Sequence, residues 1–185
     1  NVPAPLDMTN VSLNWGDRGL EEYLRTGDVG ELFLANTRQA LMTAEPGFSF
    51  NFGAKARETL RNACTEVTSE DDSDVCNLGS LNMSRIETAA EFARATYLGS
   101  KFLVCGTLKA KLPYAKIYES REKNRRLGLG LMGVHEWLIP RGYRYEVTPE
   151  LGAWLMTYRD VSEYAGRTFA DELGISRPVA FRAIA

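Results

Sequence analysis

The sequence has little cysteine and histidine, with three cysteines and one histidine among 185 residues. An odd and small number of cysteines does not suit a dense disulfide framework and is typical of a reducing, intracellular compartment. The net charge of −2 gives no case for general nucleic-acid binding. No apolar run approaches the roughly 20 residues of a membrane helix, and residues 1–10 lack the features of a signal peptide. We therefore expect a cytoplasmic protein with neither nucleic-acid nor membrane partners.

The composition that remains is that of a globular protein, 44% hydrophobic and 25% charged. The chain does not begin with Met, and it stops at the apolar, strand-like run RPVAFRAIA without a polar tail. These ends predict a piece of a longer polypeptide, incomplete on both sides.

Helical and strand-like patterns alternate along the chain, which predicts the α/β class. Alternating side chains predict strands at 9–15, 48–52 and 75–86. In the second of these strands, Phe48, Phe50 and Phe52 fall on one side. Spacings of three and four residues predict helices at 20–27, 29–47, 86–110 and 149–174.

The predicted helices carry recognisable ends. Gly27 ends the first, the Pro46-Gly47 pair ends the second, and Thr148 caps the last with Pro149 as its first residue. One face of the second helix is expected to hold Phe33, Ala40, Leu41 and Ala44.

A basic cluster precedes a run of regularly spaced glycines. The cluster consists of Arg121, Lys123, Arg125 and Arg126. It is expected to be a solvated face, with phosphate contact as the alternative. Gly128 to Gly133 fits G-x-G-x-x-G, but the charged run before it is not the strand that a dinucleotide fold needs. We predict instead a helix whose glycines pack closely against another element. Its buried face would hold Leu127, Leu131, Val134 and Leu138.

The segment NACTE, residues 62–66, concentrates three chemically useful side chains. In an extended strand, alternate residues share a face, so Asn62, Cys64 and Glu66 would project together at spacings of about 6–7 Å. The amide suits hydrogen bonding to a hydroxyl, the carboxylate suits proton transfer, and the thiol suits nucleophilic, redox or radical chemistry. The alternative is a small buried cysteine without function.

The acidic run SEDDSD, residues 69–74, is expected to be a solvated turn, because its spacing does not match a calcium loop. A strand follows, and a returning hairpin would bring Cys76 near the same region. We expect Cys105 to be a packed helix residue. His135, which has no partner at metal-ligand spacing, is expected to be structural, and we assign no metal ligands.

Three segments, in this order, resemble the large catalytic subunit of ribonucleotide reductases. They are TAEPGFSFNF, LRNACTEVTSEDDSDVCNLGSLNMSRI and REKNRRLGLGLMGVHEWL. The sequence of these segments is most similar to that of the class II, adenosylcobalamin-dependent enzymes, including those that reduce ribonucleoside diphosphates. The resemblance covers nearly the whole chain, so it implies a fold as well as a site.

The implied fold is a ten-stranded α/β barrel, of which residues 1–185 would be a central fragment with the finger loop at about 60–68. The implied activity is reduction of ribonucleotides to deoxyribonucleotides for DNA synthesis. Cys64 would become the thiyl radical that abstracts the ribose 3′-hydrogen, Glu66 would be the base on the 3′-hydroxyl, and Asn62 would hold the ribose hydroxyls. Cys76 would be one of two reducing cysteines that form a disulfide as the 2′-hydroxyl leaves as water.

The implied partners are a ribonucleotide, a thioredoxin-like external thiol reductant, and the flanking parts of the enzyme. Adenosylcobalamin, a cobalt corrinoid, would bind mainly outside this fragment. The second reducing cysteine would precede residue 1, and the family's phosphate-binding PTGT loop would follow residue 185. The isolated chain is therefore expected to be inactive. The alternative is a non-catalytic structural or assembly fragment of the same barrel that needs another polypeptide to act.

Overall fold

The computed structural model describes residues 10–62 and 66–183, and Cys64 lies outside the described residues. The chain divides after Asp72 into two compact units. Each unit combines helices with strands, which confirms the α/β class. Within the described residues, the strands pair as three two-stranded sheets.

The first unit is built on a parallel pair of strands. Its elements are β1 (Ser12–Gly16), α1 (Asp17–Thr26), α2 (Gly30–Thr43), β2 (Gly47–Asn51), β3 (Leu60–Arg61) and β4 (Thr68–Ser69). Strand β1 runs parallel to β2, with Ser12 opposite Gly47 and Gly16 opposite Asn51. Parallel neighbours need a crossover connection, and α1 and α2 supply it.

Aromatic rings hold α2 against this strand pair. The Phe33 ring lies 4.9 Å from that of Trp15 and 5.5 Å from that of Phe48, measured between centroids. The predicted row of phenylalanines is confirmed, because the Phe48 and Phe50 rings stack at 5.9 Å and the row continues to Phe52 at 5.8 Å.

The predicted end and buried face of α2 need correction. Gly27 ends α1 in the left-handed conformation as predicted, but α2 ends at Thr43, before the Pro46-Gly47 pair. Leu41, placed on the buried face, is 83% exposed. The buried residue of α2 is Asn36, whose amide donates to the Pro46 carbonyl at 2.8 Å. Apolar residues of α2 occur on all sides of the helix, so their spacing does not identify one buried face.

The second unit has a parallel sheet with helices on one face. Its elements are β5 (Cys76–Asn82), α3 (Ala89–Lys109), α4 (Ala115–Asn124), β6 (Arg126–Met132), α5 (Val134–Leu138) and α6 (Pro149–Glu172). Strands β5 and β6 pair in parallel from Cys76–Arg126 to Asn82–Met132. Residues 180–183 run along the other edge of β6, where the Leu127 amide donates to the Ala180 carbonyl at 2.9 Å.

Helices α3 and α6 pack with the sheet around a core rich in aromatic residues. The Trp154 ring lies 4.9 Å from Phe92 and 4.7 Å from Trp137. The Tyr158 hydroxyl donates to the Leu129 carbonyl. The predicted start of α6 is confirmed, since the Thr148 hydroxyl accepts from the Leu151 amide at 3.1 Å and proline follows the cap.

The glycine-spaced segment is a strand, so the predicted helix is wrong. In β6, leucines at 127, 129 and 131 alternate with Gly128 and Gly130, which is the two-residue period of a strand. Val134 and Leu138 belong to the separate short helix α5, whose N-cap is Gly133 at φ 71°. The predicted close packing of Gly133 is confirmed, because an added Cβ would overlap Asn82 Oδ1 and lie 3.1 Å from the Ser84 amide nitrogen.

The basic cluster is a solvated face only in part, because Lys123 is exposed but two of its arginines are buried. Arg121 is 8% exposed and Arg125 is fully buried. Arg125 donates through Nε to the Ser176 carbonyl at 3.0 Å and also bonds Glu122. Burying a guanidinium requires such partners, because the desolvated charge is costly. Arg125 thus ties the end of α4 to the segment after α6, whereas Arg121 donates to the Thr107 carbonyl at 2.7 Å and ties α4 to the end of α3.

One further expectation about exposure is wrong. Cys105, expected to be packed, is exposed on α3. His135 lies at the surface with its ring 5.6 Å from that of Tyr145, and its structural role stays a prediction. No helix in the described part of the chain combines the length and the apolar character of a membrane span.

Candidate active site

The segment with the predicted catalytic residues is the end of a short hairpin. Strand β3 pairs antiparallel with β4, with Leu60 opposite Ser69 and Arg61 opposite Thr68. Beyond that pair, the Asn62 amide nitrogen donates to the Val67 carbonyl at 3.4 Å. The Val67 amide nitrogen donates to Asn62 Oδ1 at 3.0 Å. Asn62 therefore closes the hairpin with both its backbone and its side chain.

Asn62, Cys64 and Glu66 are predicted to point to one side of an extended or looped segment, of which residues 63–65 lie outside the described residues. Asn62 Nδ2 donates to Glu66 Oε1 at 2.5 Å, whereas four residues of extended chain would separate the two by about 13 Å. The antiparallel pairing of β3 with β4 brings Asn62 and Glu66 into direct contact.

Glu66 has one oxygen engaged and one not. Its Oε2 is buried and has no hydrogen-bond partner within residues 10–62 and 66–183. A buried carboxylate oxygen without a donor is uncommon, since leaving such an atom unpaired costs free energy. The Asn62 amide has two N–H donors, and Glu66 accepts only one. The hairpin end therefore offers one acceptor and one donor side by side.

Arg61, a residue that sequence reasoning missed, attaches the start of this hairpin to β2. Its Nη2 atom donates to the Phe50 carbonyl at 3.1 Å and to Asn51 Oδ1 at 2.6 Å. Asn51 in turn donates to Asn14 Oδ1 at 3.1 Å and accepts from the Ser49 hydroxyl at 2.9 Å. The signal was available in β2, where Ser49 and Asn51 are polar residues alternating with phenylalanines.

This attachment places the hairpin at the carboxyl end of β1 and β2. In open parallel sheets, ligands bind beyond the carboxyl ends of the strands. The hairpin is therefore where a substrate site is expected in this unit.

Cys76, the fourth predicted site residue, opens β5 in the second unit. It is half-buried, and its Sγ lies 3.8 Å from the Asn77 carbonyl oxygen. The predicted strand is confirmed, but its pairing is not: β3 pairs with β4, and β5 pairs in parallel with β6. Whether Cys64 and Cys76 stay unpaired with each other remains a prediction, because Cys64 is outside the described residues.

The acidic run before Cys76 is less solvated than predicted. The Asp74 side chain is fully buried, and its Oδ2 accepts from Arg126 Nε at 2.6 Å and from Asn124 Nδ2 at 2.7 Å. This carboxylate therefore links the N-terminal ends of β5 and β6. Among the described residues, no group of three or more His, Cys, Asp or Glu side chains could hold a metal ion.

The comparison with known families agrees with this combination of a parallel α/β sheet and a polar hairpin. A family model described as ribonucleotide reductase, barrel domain, matches residues 22–152. That range contains the whole hairpin, Cys76 and the parallel pair β5–β6. The chain belongs to the ribonucleotide reductase barrel-domain family.

Two curated relatives carry the names of cobalamin-dependent ribonucleotide reductases. A protein of Mycobacterium phage D29 named "Putative adenosylcobalamin-dependent ribonucleoside-triphosphate reductase" is 31% identical over 159 residues, which is 79% of this chain and 23% of the phage protein. A "Vitamin B12-dependent ribonucleoside-diphosphate reductase" of Thermoplasma acidophilum is 27% identical over 161 residues, 78% of this chain and 21% of that protein. The chain thus spans less than a quarter of the length of these relatives.

Proposed function

We propose that this chain is part of an adenosylcobalamin-dependent ribonucleotide reductase and carries its radical cysteine and base. One observation supports this most directly: Asn62 and Glu66, which precede and follow Cys64 by two residues in the sequence, meet with a spare N–H donor and a buried carboxylate oxygen that has no partner among the described residues. A ribose hydroxyl both donates and accepts a hydrogen bond, so it complements this pair. The names of the two relatives support the same reaction.

In this reaction, Cys64 as a thiyl radical takes the 3′-hydrogen of the ribose. Glu66 Oε2 accepts the proton of the 3′-hydroxyl, and the Asn62 amide donates to the hydroxyl oxygens and holds the sugar against the sulfur. The hairpin fixes this geometry before substrate binds, because Arg61 attaches it to β2. Such preorganisation matters, since a displacement of about 1 Å can cost on the order of a hundredfold in rate.

Cys76 serves the reducing half of the reaction with a second cysteine thiol. The two thiols give up two protons and two electrons and form one S–S bond. The C2′–O bond breaks, oxygen leaves as water, and C2′ gains a hydrogen. Cys64 returns the hydrogen to C3′, so the net change is one ribonucleotide and two thiols to one deoxyribonucleotide, one disulfide and water. A thioredoxin-like dithiol would reduce the disulfide.

Bound adenosylcobalamin supplies the radical that oxidises Cys64. We assign none of the described residues to the corrinoid. No step above depends on where it binds.

We further propose that the strands described here are part of the ten-stranded barrel implied by the resemblance, with residues 60–68 as its finger loop. The parallel direction of β1–β2 and of β5–β6 supports this, as does the position of the hairpin beyond the carboxyl ends of β1 and β2.

The test uses the full-length enzyme with adenosylcobalamin, a ribonucleotide and a dithiol. Cys64→Ser should abolish deoxyribonucleotide formation. Glu66→Gln should lower kcat by about 10²–10⁴ with KM little changed, as expected for loss of a general base. Glu70→Gln is the matched control, because Glu70 lies just beyond the hairpin, 60% exposed, and pairs only loosely with Arg57 at 3.5 Å.

Full activity of Cys64→Ser would refute the mechanism. Equal activities of Glu66→Gln and Glu70→Gln would refute the role of Glu66 as base. The isolated 185 residues should form no deoxyribonucleotide, because Cys76 needs a second reducing thiol and Cys64 is reserved for the radical.

A further inference from the structure

The hairpin of β3 and β4 is too short to hold its own shape. Each strand has two residues, and among the described residues the two strands pair only with each other. A two-stranded hairpin in isolation is marginally stable at best, so it needs contacts with other elements. The positions of Asn62 and Glu66 beyond these strands therefore depend on what holds the hairpin from outside.

Glu58, two residues before β3, contacts both strands of the hairpin. Its backbone carbonyl accepts from Arg61 Nη1 at 2.7 Å, and its side-chain Oε2 accepts from the Thr68 hydroxyl. Arg61 and Thr68 lie opposite each other and form the strand pair nearest to Asn62 and Glu66. One residue thus binds β3 through its backbone and β4 through its carboxylate, at the pair next to the candidate site.

A local turn fixes the position of Glu58 itself. Its amide nitrogen donates to the Lys55 carbonyl at 3.0 Å, at the end of the short helix Gly53–Lys55. The Lys55 ammonium also lies 3.2 Å from Glu58 Oε2, but the lysine side chain is 66% exposed. Exposed ion pairs contribute little, whereas a hydroxyl that donates to a carboxylate forms a strong, charge-assisted hydrogen bond. The contact with Thr68 is therefore the one through which the Glu58 side chain acts on the hairpin.

We propose that Glu58 is a positioning residue for the catalytic pair: by binding both strands, it keeps the Asn62 amide and the Glu66 carboxylate in contact and in one orientation. The inference rests on the proposed function, in which Glu66 is the base. Glu58 acts through the hairpin and takes no part in the chemical steps. A shift of about 1 Å in a catalytic group can cost on the order of a hundredfold in rate, so loosening β4 should lower kcat.

The first measurement follows the hairpin without turnover. The Val67 amide nitrogen donates to Asn62 Oδ1 at 3.0 Å, and this bond closes the hairpin. Hydrogen–deuterium exchange of the full-length enzyme, resolved to single residues, reports its opening. Thr68→Val removes the donating hydroxyl and keeps the shape of the half-buried side chain, so exchange at Val67 should rise about tenfold or more. Amides within α2 are the internal reference and should not change.

The second measurement follows the reaction in matched variants. Thr68→Val should lower kcat by about 10–100-fold with a smaller change in KM, because the displaced groups act in the transition state. Glu58→Gln keeps a side-chain oxygen for Thr68 and the backbone carbonyl for Arg61, so its kcat should stay within about threefold of the unaltered enzyme. Lys55→Met is the control, since it removes only the exposed ion partner, and should change neither kcat nor exchange.

A double variant tests whether Glu58 and Thr68 act through one contact. Glu58→Ala and Thr68→Val each remove the same hydrogen bond. Side chains that share an interaction show non-additive effects, so Glu58→Ala/Thr68→Val should lose no more activity than Glu58→Ala alone. Losses that multiply in the double variant would overturn the proposal.

The two measurements also separate this inference from the proposed function. Unchanged exchange at Val67 in Thr68→Val would overturn the inference, and so would raised exchange with an unchanged kcat. A loss in Lys55→Met equal to that in Thr68→Val would assign the effect to the ion pair and overturn it as well. An unaltered enzyme that forms no deoxyribonucleotide, while exchange at Val67 responds as expected, would instead refute the proposed function.

Discussion

Removing the Asp74 carboxylate should destabilise the second unit strongly. Its side chain is fully buried. Oδ1 accepts from the Val75 amide nitrogen at 2.8 Å, and Oδ2 accepts from Asn124 and Arg126 at 2.7 and 2.6 Å. The change Asp74→Ala therefore leaves a cation, an amide and a backbone N–H without this acceptor.

The expected loss follows from the burial of these partners. Breaking a buried ion pair by removing one member costs about 3–5 kcal/mol, because the other charge stays behind uncompensated. The Arg126 side chain retains 19% exposure, so water recovers part of its solvation and the lower end applies. We expect a loss of about 3–4 kcal/mol in the free energy of unfolding, or roughly 6–16 °C in Tm for a chain of this size.

Circular dichroism with thermal and urea unfolding of the chain measures this loss. The control is Glu70→Ala, four residues away, whose carboxylate is 60% exposed and pairs with Arg57 at 3.5 Å. It should change stability by less than about 0.5 kcal/mol, as surface pairs do. If Asp74→Ala were no less stable than Glu70→Ala, the argument that the acidic run holds the sheet entrance together would be refuted.

Three other predictions concern stability and titration. Gly133→Ala should destabilise by about 1–3 kcal/mol more than Gly142→Ala. Both glycines have φ near 70–75°, but an added Cβ meets Asn82 at the first and nothing within 4 Å at the second; equal unfolding midpoints would exclude the packing explanation. Burial raises the pKa of Tyr158 to about 12, so its contribution to stability should be complete below about pH 10 and lost as pH rises through 12; an ultraviolet phenolate titration that is the same in Tyr158→Phe would contradict this. Thr148→Ala should cost about 1 kcal/mol through loss of the α6 cap, and an unchanged urea midpoint would show that the cap contributes nothing.

Local sequence rules located the long elements of this fold because each of these elements shows one structural pattern without a competing one. α6 has a capping threonine, a proline at its first position and a sustained helical period, and the structure places it at Pro149–Glu172. The phenylalanine row of β2 has the two-residue period of a strand and no competing helical period. In such segments, local preference and tertiary packing favour the same structure.

The glycine segment was misassigned because its leucines fit two periods. Leu127 and Leu131 are four residues apart, which suits a helix, but Leu129 between them suits only a strand. Pairing with β5 on one edge and with residues 180–183 on the other decides between them. That pairing joins residues about 50 positions apart, so it cannot be read from a local window. It also explains Gly128, since a Cβ added there would overlap Leu78 Cδ2 and lie 3.1 Å from Cys76 Sγ.

The candidate site shows the same limit in a form that affects chemistry. The spacing Asn62, Cys64, Glu66 predicts residue types suited to holding a hydroxyl and moving a proton, but a strand would keep the amide and the carboxylate about 13 Å apart. The antiparallel pairing of Leu60–Arg61 with Thr68–Ser69 brings them within 2.5 Å. Their hydrogen bond leaves one Asn62 N–H and Glu66 Oε2 available for hydrogen bonds to a ligand. A hydroxyl that bonds to both can bind without breaking the bond that closes the hairpin, so the contact that stabilises the hairpin would also orient Glu66 for its proposed role as base.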